Sequence, residues 1–304
     1  MTDSARRGPF RTVLVDTGAV RVGAFRCHPE HPSFADSGPA RDCCFVFPRT
    51  AVEIRHEHER PFVANPNVVT FYNRGQEYRR APVSAEGDRC DWFAVDPEIA
   101  RDVVRAFEPA VDDRPERPFR LTRGHSDHAT YLAQRELFDA VERGAMDGLE
   151  VEERVVRLLE GVLRLSYRRA PERGGAPRDA VAHVERVLTE RWDQALRLQD
   201  LAAEARVSMY HLCRTFRQAT GRTLHQYQTA LRVRWTLEKI RGGGRLVDIA
   251  VAAGFSSHSH FTSAFRTAFG ATPASIRETA AVHEQRGGPA REQQPARRFG
   301  NSGR

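Results

Sequence analysis

The residues best suited to hold a metal ion lie in the N-terminal half of this 304-residue chain. His56 and His58 flank Glu57, and a His-x-His pair with a carboxylate and a late histidine is a ligand set for transition metals. Here the spacing to the following carboxylate is wrong for that set, and no matching late histidine follows. The sequence therefore predicts neither a catalytic metal nor a cofactor, and it indicates that the protein is not an enzyme.

The cysteines offer a different chemistry. Cys27, Cys43, Cys44 and Cys90 each lie near a predicted strand, and three such thiolates with a histidine would form a soft-metal or redox-sensing site. A buried cysteine is also commonly just a small apolar residue, so both interpretations stay open. Five cysteines without framework spacing favour a reducing compartment. Because the N-terminus also lacks a secretory signal, we expect a cytoplasmic protein.

Two stretches near the C-terminus, 198–227 and 246–276, repeat each other. A fixed-period match of this kind indicates a duplicated unit. The offset is 48 for the first helix of each unit and 49 after the turn, so one residue has been added in the second turn. The matching residues are Leu198, Asp200, Leu201, Ala202, Ala205, Leu212, Phe216, Arg217, Gly221 and Thr223 in the first unit, and Leu246, Asp248, Ile249, Ala250, Ala253, Phe261, Phe265, Arg266, Gly270 and Thr272 in the second.

Each unit has the pattern of two short helices joined by a turn. The apolar residues of the repeat recur at helical spacing, and small alanines let the two helices of a unit approach closely. In the first unit Ser208 is suited to cap the second helix. In the second unit Gly254 can adopt left-handed turn geometry, and Ser256 or Ser257 is suited to the cap. The pattern predicts two helix-turn-helix units.

The sequences LQDLAAEARVSMYHLCRTFRQATG and GFSSHSHFTSAFRTAFGATPASIR resemble the DNA-binding domain of AraC/XylS-type transcription regulators. The resemblance covers about a third of the chain, and the motif is long. One position departs from the family pattern, because Ile276 precedes Arg277 where the family usually has an aromatic residue. The position is one of core packing, so the departure affects neither the predicted fold nor the predicted DNA binding.

The resemblance implies that the second helix of each unit enters the major groove of double-stranded DNA. Arg214 is the strongest candidate for a bidentate contact to guanine, since its guanidinium matches the N7 and O6 acceptors. The second unit offers only small or neutral groups, so we expect the first unit to carry most of the specificity. The candidate base contacts are Met209, Tyr210, Cys213, Arg214, His258, Ser259, Thr262 and Ser263, and the candidate phosphate contacts are Arg217 and Arg266.

The charge of the chain supports a nucleic-acid partner. Residues 178–280 contain 15 basic and 9 acidic residues, a net charge of +6, and residues 281–304 add +3. Residues 1–177 carry −2, so all of the excess positive charge of +7 lies with the repeat and the segment after it. No apolar run approaches the roughly 20 residues of a membrane span, so no membrane partner is expected.

The N-terminal half contains short strand-like runs separated by turns, which is typical of a sandwich or barrel. We predict strands at 10–16, 19–27, 43–47, 52–56, 68–72, 77–81 and 90–95, with a hairpin turn at 73–76. AraC-like regulators often carry a cupin-like β-barrel here, and such a barrel would bind a small effector. Its lining would come from about half of a set of aromatic residues, because alternate residues of a strand face opposite sides. That set is Phe25, Phe45, Phe47, Phe71, Tyr72, Trp92 and Phe93.

A regular apolar stripe marks a predicted helix at 149–169. Val151, Val155, Leu158, Val162 and Leu165 step by four and three residues, as in the seam of a coiled coil. A helix packed on its own domain shows the same stripe, so it indicates either intramolecular packing or a homodimer through residues 149–169. Further helices are predicted from 97, over about 125–143, and over 224–241.

The sequence thus predicts an α+β protein of two domains: an N-terminal cupin-like β-barrel with helices and a C-terminal all-α double helix-turn-helix. Residues 1–169 would form a sensor and dimerisation domain, 170–177 a linker, 178–280 the DNA-binding domain and 281–304 a disordered tail. The predicted function is sequence-specific regulation of transcription, controlled by a small effector in the N-terminal domain. The alternatives are a metal- or thiol-based sensor, and a metal cupin enzyme fused to a DNA-binding domain.

Overall fold

The computed structural model describes residues 10–35, 38–168 and 178–278. The predicted linker at 170–177 and the predicted tail at 281–304 lie outside these ranges. The strands of the N-terminal part are β1 Phe10–Asp16, β2 Val20–Cys27, β3 Cys43–Pro48, β4 Val52–His56, β5 Phe62–Ala64, β6 Val68–Tyr72, β7 Tyr78–Pro82, β8 Asp88–Val95 and β9 Arg123–His125.

Helices follow the first eight strands and make up the C-terminal part. The helices of the N-terminal part are α1 Pro97–Arg105, α2 His128–Glu142 and α3 Gly148–Arg168, with a short 3-10 segment at Pro109–Asp113. Those of the C-terminal part are α4 Arg178–Glu190, α5 Leu198–Glu204, α6 Met209–Thr220, α7 Leu224–Arg241, α8 Leu246–Ala252 and α9 His258–Phe269. The chain is therefore α+β, with a sheet-rich N-terminal part and a helical C-terminal part. No described helix is both long and apolar enough to cross a membrane.

The strands form two antiparallel sheets rather than one closed barrel. The larger sheet has the order β1-β2-β8-β3-β6-β9, and the smaller has the order β5-β4-β7. The predicted hairpin at 73–76 is wrong, because β6 pairs with β3 and β9 whereas β7 pairs with β4. The turn instead carries the chain from one sheet to the other, with the Gln76 amide donating to the Asn73 carbonyl at 3.1 Å.

The larger sheet is buried on both faces. The aromatic residues predicted to line the barrel are therefore divided between these two faces. Phe45 and Phe93 stack at 5.3 Å on the face that packs against the helices, together with Phe47 and Phe71. The other face carries Phe25, Tyr72 and Trp92 and packs against the smaller sheet. Strand alternation produces this division, and only the second group faces the space between the sheets.

The apolar stripe of α3 packs inside its own domain. Val151, Val155 and Val162 are buried against the larger sheet in the same core as Phe45 and Phe93. The outward side of the helix carries ion pairs between residues four apart, such as Glu153 with Arg157. Intramolecular packing therefore accounts for the stripe, and these side chains are not available as a seam between two copies.

Helix α7 joins the C-terminal helices to the N-terminal part. It begins with a capping box, in which Thr223 and Gln226 satisfy each other's backbone amides. Arg234, near its middle, is fully buried and donates hydrogen bonds to the Pro66 carbonyl and the Asn67 side-chain oxygen. Its other terminal nitrogen donates to the carbonyls of Ser126 and Asp127, at 2.7 and 2.8 Å.

Candidate nucleic-acid interface

The first helix-turn-helix unit consists of α5 and α6. Ser208 caps α6, because its hydroxyl accepts a hydrogen bond from the His211 amide at 3.2 Å. Leu212 and Phe216 are fully buried and hold α6 against α5 and α4. Gly221 ends the helix at φ 69°, where glycine is favoured.

The second unit, α8 and α9, repeats this design. Ser257 rather than Ser256 is the cap, with its hydroxyl accepting from the His260 amide at 3.1 Å. Phe261 and Phe265 are fully buried, and Ile276 packs against the same cluster as expected for a core position. Both units are thus built on equivalent caps and equivalent buried positions.

The turns of the two units differ in one respect. Arg206 and Gly254 are equivalent at the offset of 48, and both adopt the left-handed conformation, with φ of 55° and 73°. A side chain is accommodated at Arg206, which is exposed. At Gly254 a Cβ atom would lie 1.9 Å from the carbonyl oxygen of Asp193, so only glycine fits.

The predicted contact residues of the first unit lie on the outward face of α6. Tyr210 is 77% exposed and Met209 is 50% exposed, and Cys213, Arg214 and Arg217 are exposed beside them. Their position follows from helical periodicity, since the opposite face of α6 is occupied by the buried residues. α6 therefore presents one cationic, hydrogen-bonding and aromatic surface.

The predicted residues of the second unit lie together on α9. His258, Ser259, Ser263 and Arg266 are exposed and Thr262 is half-buried. With Thr267 they border a surface concavity. This face carries one cation and several hydroxyls, so it is less charged than the face of α6.

The cations of both faces are not engaged elsewhere. Within the part of the chain that the structure describes, Arg214, Arg217 and Arg266 form no ion pair. An unpaired exposed guanidinium can bind phosphate or guanine without first breaking an internal interaction.

Arg232 fixes the two units relative to each other. From α7 it donates to the carbonyls of Trp192 and Gln194, which precede α5, at 2.8 and 2.7 Å. It also donates to the carbonyl of Gly254, in the turn of the second unit, at 2.9 Å. A single planar guanidinium therefore connects the approach to the first unit with the turn of the second.

Sequence reasoning missed Arg232 and Arg234, which organise this region without touching its surface. A signal was present, because both lie on a helix whose neighbouring positions are apolar. Neither guanidinium forms an ion pair in the described structure; each donates mostly to backbone carbonyls, whose positions are not visible in a sequence.

The histidine pair of the N-terminal half does not converge. His56 is 1% exposed, and its Nδ1 lies 2.8 Å from the side-chain Nε2 of Gln76. The His58 side chain, in contrast, is 88% exposed beside Glu57. Burial lowers the pKa of His56 to about 4. Among residues 10–35, 38–168 and 178–278, no three histidine, cysteine or acidic side chains are grouped so that they could hold a metal ion.

The predicted thiol set is divided among three clusters. Cys43 faces the helices and the adjacent Cys44 faces the smaller sheet with Cys90, while Cys27 belongs to a third cluster. Burial raises the pKa of Cys44 to about 12 and that of Cys90 well above its ordinary value. Both therefore remain thiols at neutral pH, which disfavours metal binding and nucleophilic chemistry.

Comparison with known proteins agrees with this geometry. A family model described as "Helix-turn-helix domain" matches residues 201–279. The Right origin-binding protein of Escherichia coli K12 is 35% identical over 109 residues, which is 36% of each chain. The Melibiose operon regulatory protein of the same organism is 29% identical over 99 residues, 32% of this chain and 33% of that one.

The similarity is confined to part of each relative, since the chain spans about a third of the length of these two proteins. A solved structure of ToxT from Vibrio cholerae O395 aligns with 86% of this chain and 98% of its own at 11% identity, with a TM-score of 0.35. The matched domain and the regulators that share it show that the C-terminal helices of this chain are similar to the DNA-binding domain of AraC/XylS-type regulators.

Proposed function

We propose that the protein is a sequence-specific DNA-binding transcription regulator whose α6 and α9 enter successive major grooves. The observation that carries the proposal is the pair of capped units with exposed, unpaired cations, held in one arrangement by α7 and Arg232. α7 has 18 residues, and at 1.5 Å per residue it is roughly 27 Å long, which suits grooves about 34 Å apart.

Within this proposal the first unit supplies most of the specificity. Arg214 would form the bidentate contact to guanine, and Tyr210 would pack on a thymine methyl. Arg217 and Arg266 would contact phosphate, which positions a protein without specifying sequence. The α9 face would add weaker selectivity through hydroxyls and His258.

A selection of binding sites from a random DNA pool tests the proposal. The wild type should enrich two short elements about one helical turn apart. Arg214→Ala should lose sequence information at one of them, whereas Arg217→Ala, the matched control on the same helix, should keep the sequence and weaken binding. Strong binding with no enriched sequence would show that the C-terminal part binds DNA without sequence specificity.

For the N-terminal part we propose an effector-binding domain with a cupin-like, incompletely closed arrangement of its two sheets. His56 Nε2 and Trp92 Nε1 are buried between the sheets without a hydrogen-bond partner in the described structure. Because Gln76 donates to His56 Nδ1, the unpaired Nε2 carries the proton, and both orphaned groups are donors. They would suit a ligand that carries hydrogen-bond acceptors.

A thermal-shift screen of small acceptor-bearing compounds tests this site. An authentic effector should raise the melting temperature of the wild type and lose that effect in Trp92→Phe, which keeps an aromatic side chain and removes the indole N–H donor. Compounds that stabilise both proteins equally would bind elsewhere.

The remaining organisation is part of the same proposal. Residues 1–169 would be the sensor domain, 170–177 a linker and 178–280 the DNA-binding domain, in a cytoplasmic protein. A homodimer at residues 149–169 would have to use the outward face of α3, where Leu149 is 76% exposed. Sedimentation of wild type and Leu149→Glu would reveal such a dimer.

A further inference from the structure

The segment between α4 and α5 contacts both helix-turn-helix units. Trp192 packs against the core of the first unit and also against the core of the second. Its ring centroid lies 5.0 Å from that of Trp235 on α7. Asp193, the next residue, lies against the turn of the second unit, because a Cβ atom at Gly254 would be 1.9 Å from its carbonyl oxygen. This segment therefore touches the second unit although it precedes the first in sequence.

Arg232 of α7 binds both the segment and the turn of the second unit, with all three nitrogens of its guanidinium. Nε donates to the Trp192 carbonyl at 2.8 Å and Nη2 donates to the Gln194 carbonyl at 2.7 Å. Nη1 donates to the Gly254 carbonyl at 2.9 Å. Because the guanidinium is planar and rigid, these three bonds fix the segment relative to the turn.

The segment is also held on α7 by a second side chain. Gln228, one helical turn before Arg232, donates from its amide to the Gln194 carbonyl at 2.9 Å. The segment thus has a fixed position on α7, and the bond from Arg232 to Gly254 extends that position to the second unit.

The chain between α7 and α8 consists of glycines at 242–244 and does not fix the second unit by itself. Gly243 has a φ of 80°, and a Cβ atom there would meet no other atom within 4 Å. The second unit is attached to α7 by apolar packing, in which Val233 and Leu237 share a core with Phe261. Apolar packing is non-directional, whereas hydrogen bonds are directional, so the bonds of Arg232 restrict rotation of the second unit on α7.

A small rotation of the second unit matters because the spacing of two DNA elements changes in discrete steps. One base pair moves an element by about 3.4 Å along the DNA axis and by about 35° around it. Two units in a fixed arrangement match one spacing with a high effective concentration. Units that can rotate would accept neighbouring spacings, with a lower affinity for the best one.

We propose that Arg232 is a specificity-determining residue that selects the spacing between the two DNA elements without touching DNA. It is a positioning residue, because its three bonds hold α6 and α9 in the arrangement that matches one spacer length. The inference rests on the function proposed above and adds to it the residue that selects the spacer.

Site selection from a DNA pool with variable spacer length tests this role. The wild type should enrich one spacer length and lose at least about tenfold in affinity when one base pair is added or removed. Arg232→Met should enrich the same two elements with several spacer lengths, and the same change should cost it about threefold or less. Arg232→Lys keeps the charge but not the planar fork, so it should resemble Arg232→Met.

Lys239→Met is the matched control, since it removes one positive charge from an exposed position of the same helix. It should keep the spacer preference of the wild type. A single spacer length in Arg232→Met would overturn the proposal, and so would a wild-type preference in Arg232→Lys. If the wild type enriched no sequence, the proposed function would fail and this inference with it. Enrichment of both elements with one spacer in Arg232→Met would refute this inference alone.

A distance measurement without DNA tests the cause. Cys213 on α6 is exposed, and Ser263→Cys adds a thiol on the outward face of α9, so nitroxide labels at both positions report the distance between the two faces. The half-buried Cys90 is removed as Cys90→Ala in every protein. Pulsed electron paramagnetic resonance should give a broader distance distribution with Arg232→Met than with Arg232 or with Lys239→Met. Equal widths would overturn the positioning role, and the melting temperature of each variant checks that it is folded.

Discussion

At the scale of single residues, the equivalent turn positions Arg206 and Gly254 tolerate different changes. Gly254→Ala places a Cβ against the Asp193 carbonyl, so we expect it to lower the free energy of unfolding by about 3 kcal/mol or more. Arg206→Gly, the matched control, relieves left-handed strain but adds freedom to the unfolded chain, so its effect should stay within about 1 kcal/mol. Urea denaturation measures the free energy of unfolding of both variants. Equal destabilisation by the two changes would contradict a close approach of the Asp193 carbonyl to position 254.

His56 should make the stability of the N-terminal part depend on pH. Its pKa is lowered to about 4 by burial, against about 6.5 in an unfolded chain, so the unfolded state binds more protons between these values. The stability contributed by neutral His56 is fully present above pH 6.5 and is lost as the pH falls toward 4. The loss should amount to about 3 kcal/mol.

His56→Gln should flatten the fall in stability between pH 6.5 and 4, as measured by thermal unfolding across that range. A residual slope is expected from His128, whose pKa is lowered to about 3 by burial and by the charges of Arg234 and Arg222. His58→Gln, the exposed partner of the same motif, should leave the wild-type profile intact. If the stability of His56→Gln depended on pH as that of the wild type does, His56 would not titrate as proposed.

At the scale of elements, α7 connects the two parts of the molecule through Arg234. Arg234→Met keeps much of the side-chain volume but leaves buried carbonyls without donors, so a loss of about 3–5 kcal/mol is expected. In calorimetry we expect the wild type to unfold in one transition and Arg234→Met to unfold in two. Arg217→Met, on the exposed face of α6, should unfold in one, and a single transition in both variants would mean that other contacts couple the parts.

Elements with a strong periodic pattern were predictable from the sequence. β1, β4, β6 and α7 lie at the predicted bounds. β4 buries alternate residues, as a half-buried strand does, whereas all five residues of β6 are buried, so the signal for β6 was a short apolar run between turn residues. β5 and β9 were missed because three residues are too short to show a period. The turn at 73–76 was misassigned because a local sequence specifies a turn but not which strands pair on either side of it.

At the scale of the whole molecule, the fixed arrangement of the two units makes DNA recognition depend on spacing. Sites enriched by the wild type should lose at least about tenfold in affinity when five base pairs are inserted between the two elements, because the second element then faces away. Inserting ten base pairs restores the facing of the second element but moves it beyond the span of α7, so the affinity should fall for this site as well. Equal affinity for all three sites would show that the units bind independently.

The net charge of the C-terminal part should appear as a salt dependence of binding. Removing one phosphate contact with Arg266→Ala should reduce the slope of log K against log salt by about 1 without changing the preferred sequence. Ser263→Ala on the same face removes no charge and should leave the slope unaltered. A changed sequence preference in Arg266→Ala would move this residue from phosphate to base contact.

The charge distribution and the repeat were sufficient to predict which side chains would share the outward faces of α6 and α9, because a helix places every third or fourth residue together. The partners of Arg232 and Arg234 were not predictable, since both bind carbonyls that only the assembled chain brings near. The cysteines show the same limit, because Cys43 and Cys44 are neighbours in sequence but point to opposite sides of one sheet.

The glycine at 254 has a consequence for the history of the duplication. Because the turn of the second copy packs on the Asp193 carbonyl, the turns of the two copies are not interchangeable. A gene conversion event that wrote the first turn over the second would introduce Arg206 where no side chain fits. The reverse event would put a glycine in an open position and be tolerated. At this turn, sequence exchange is therefore tolerated in one direction only, and the turn of the second copy is the more constrained of the two.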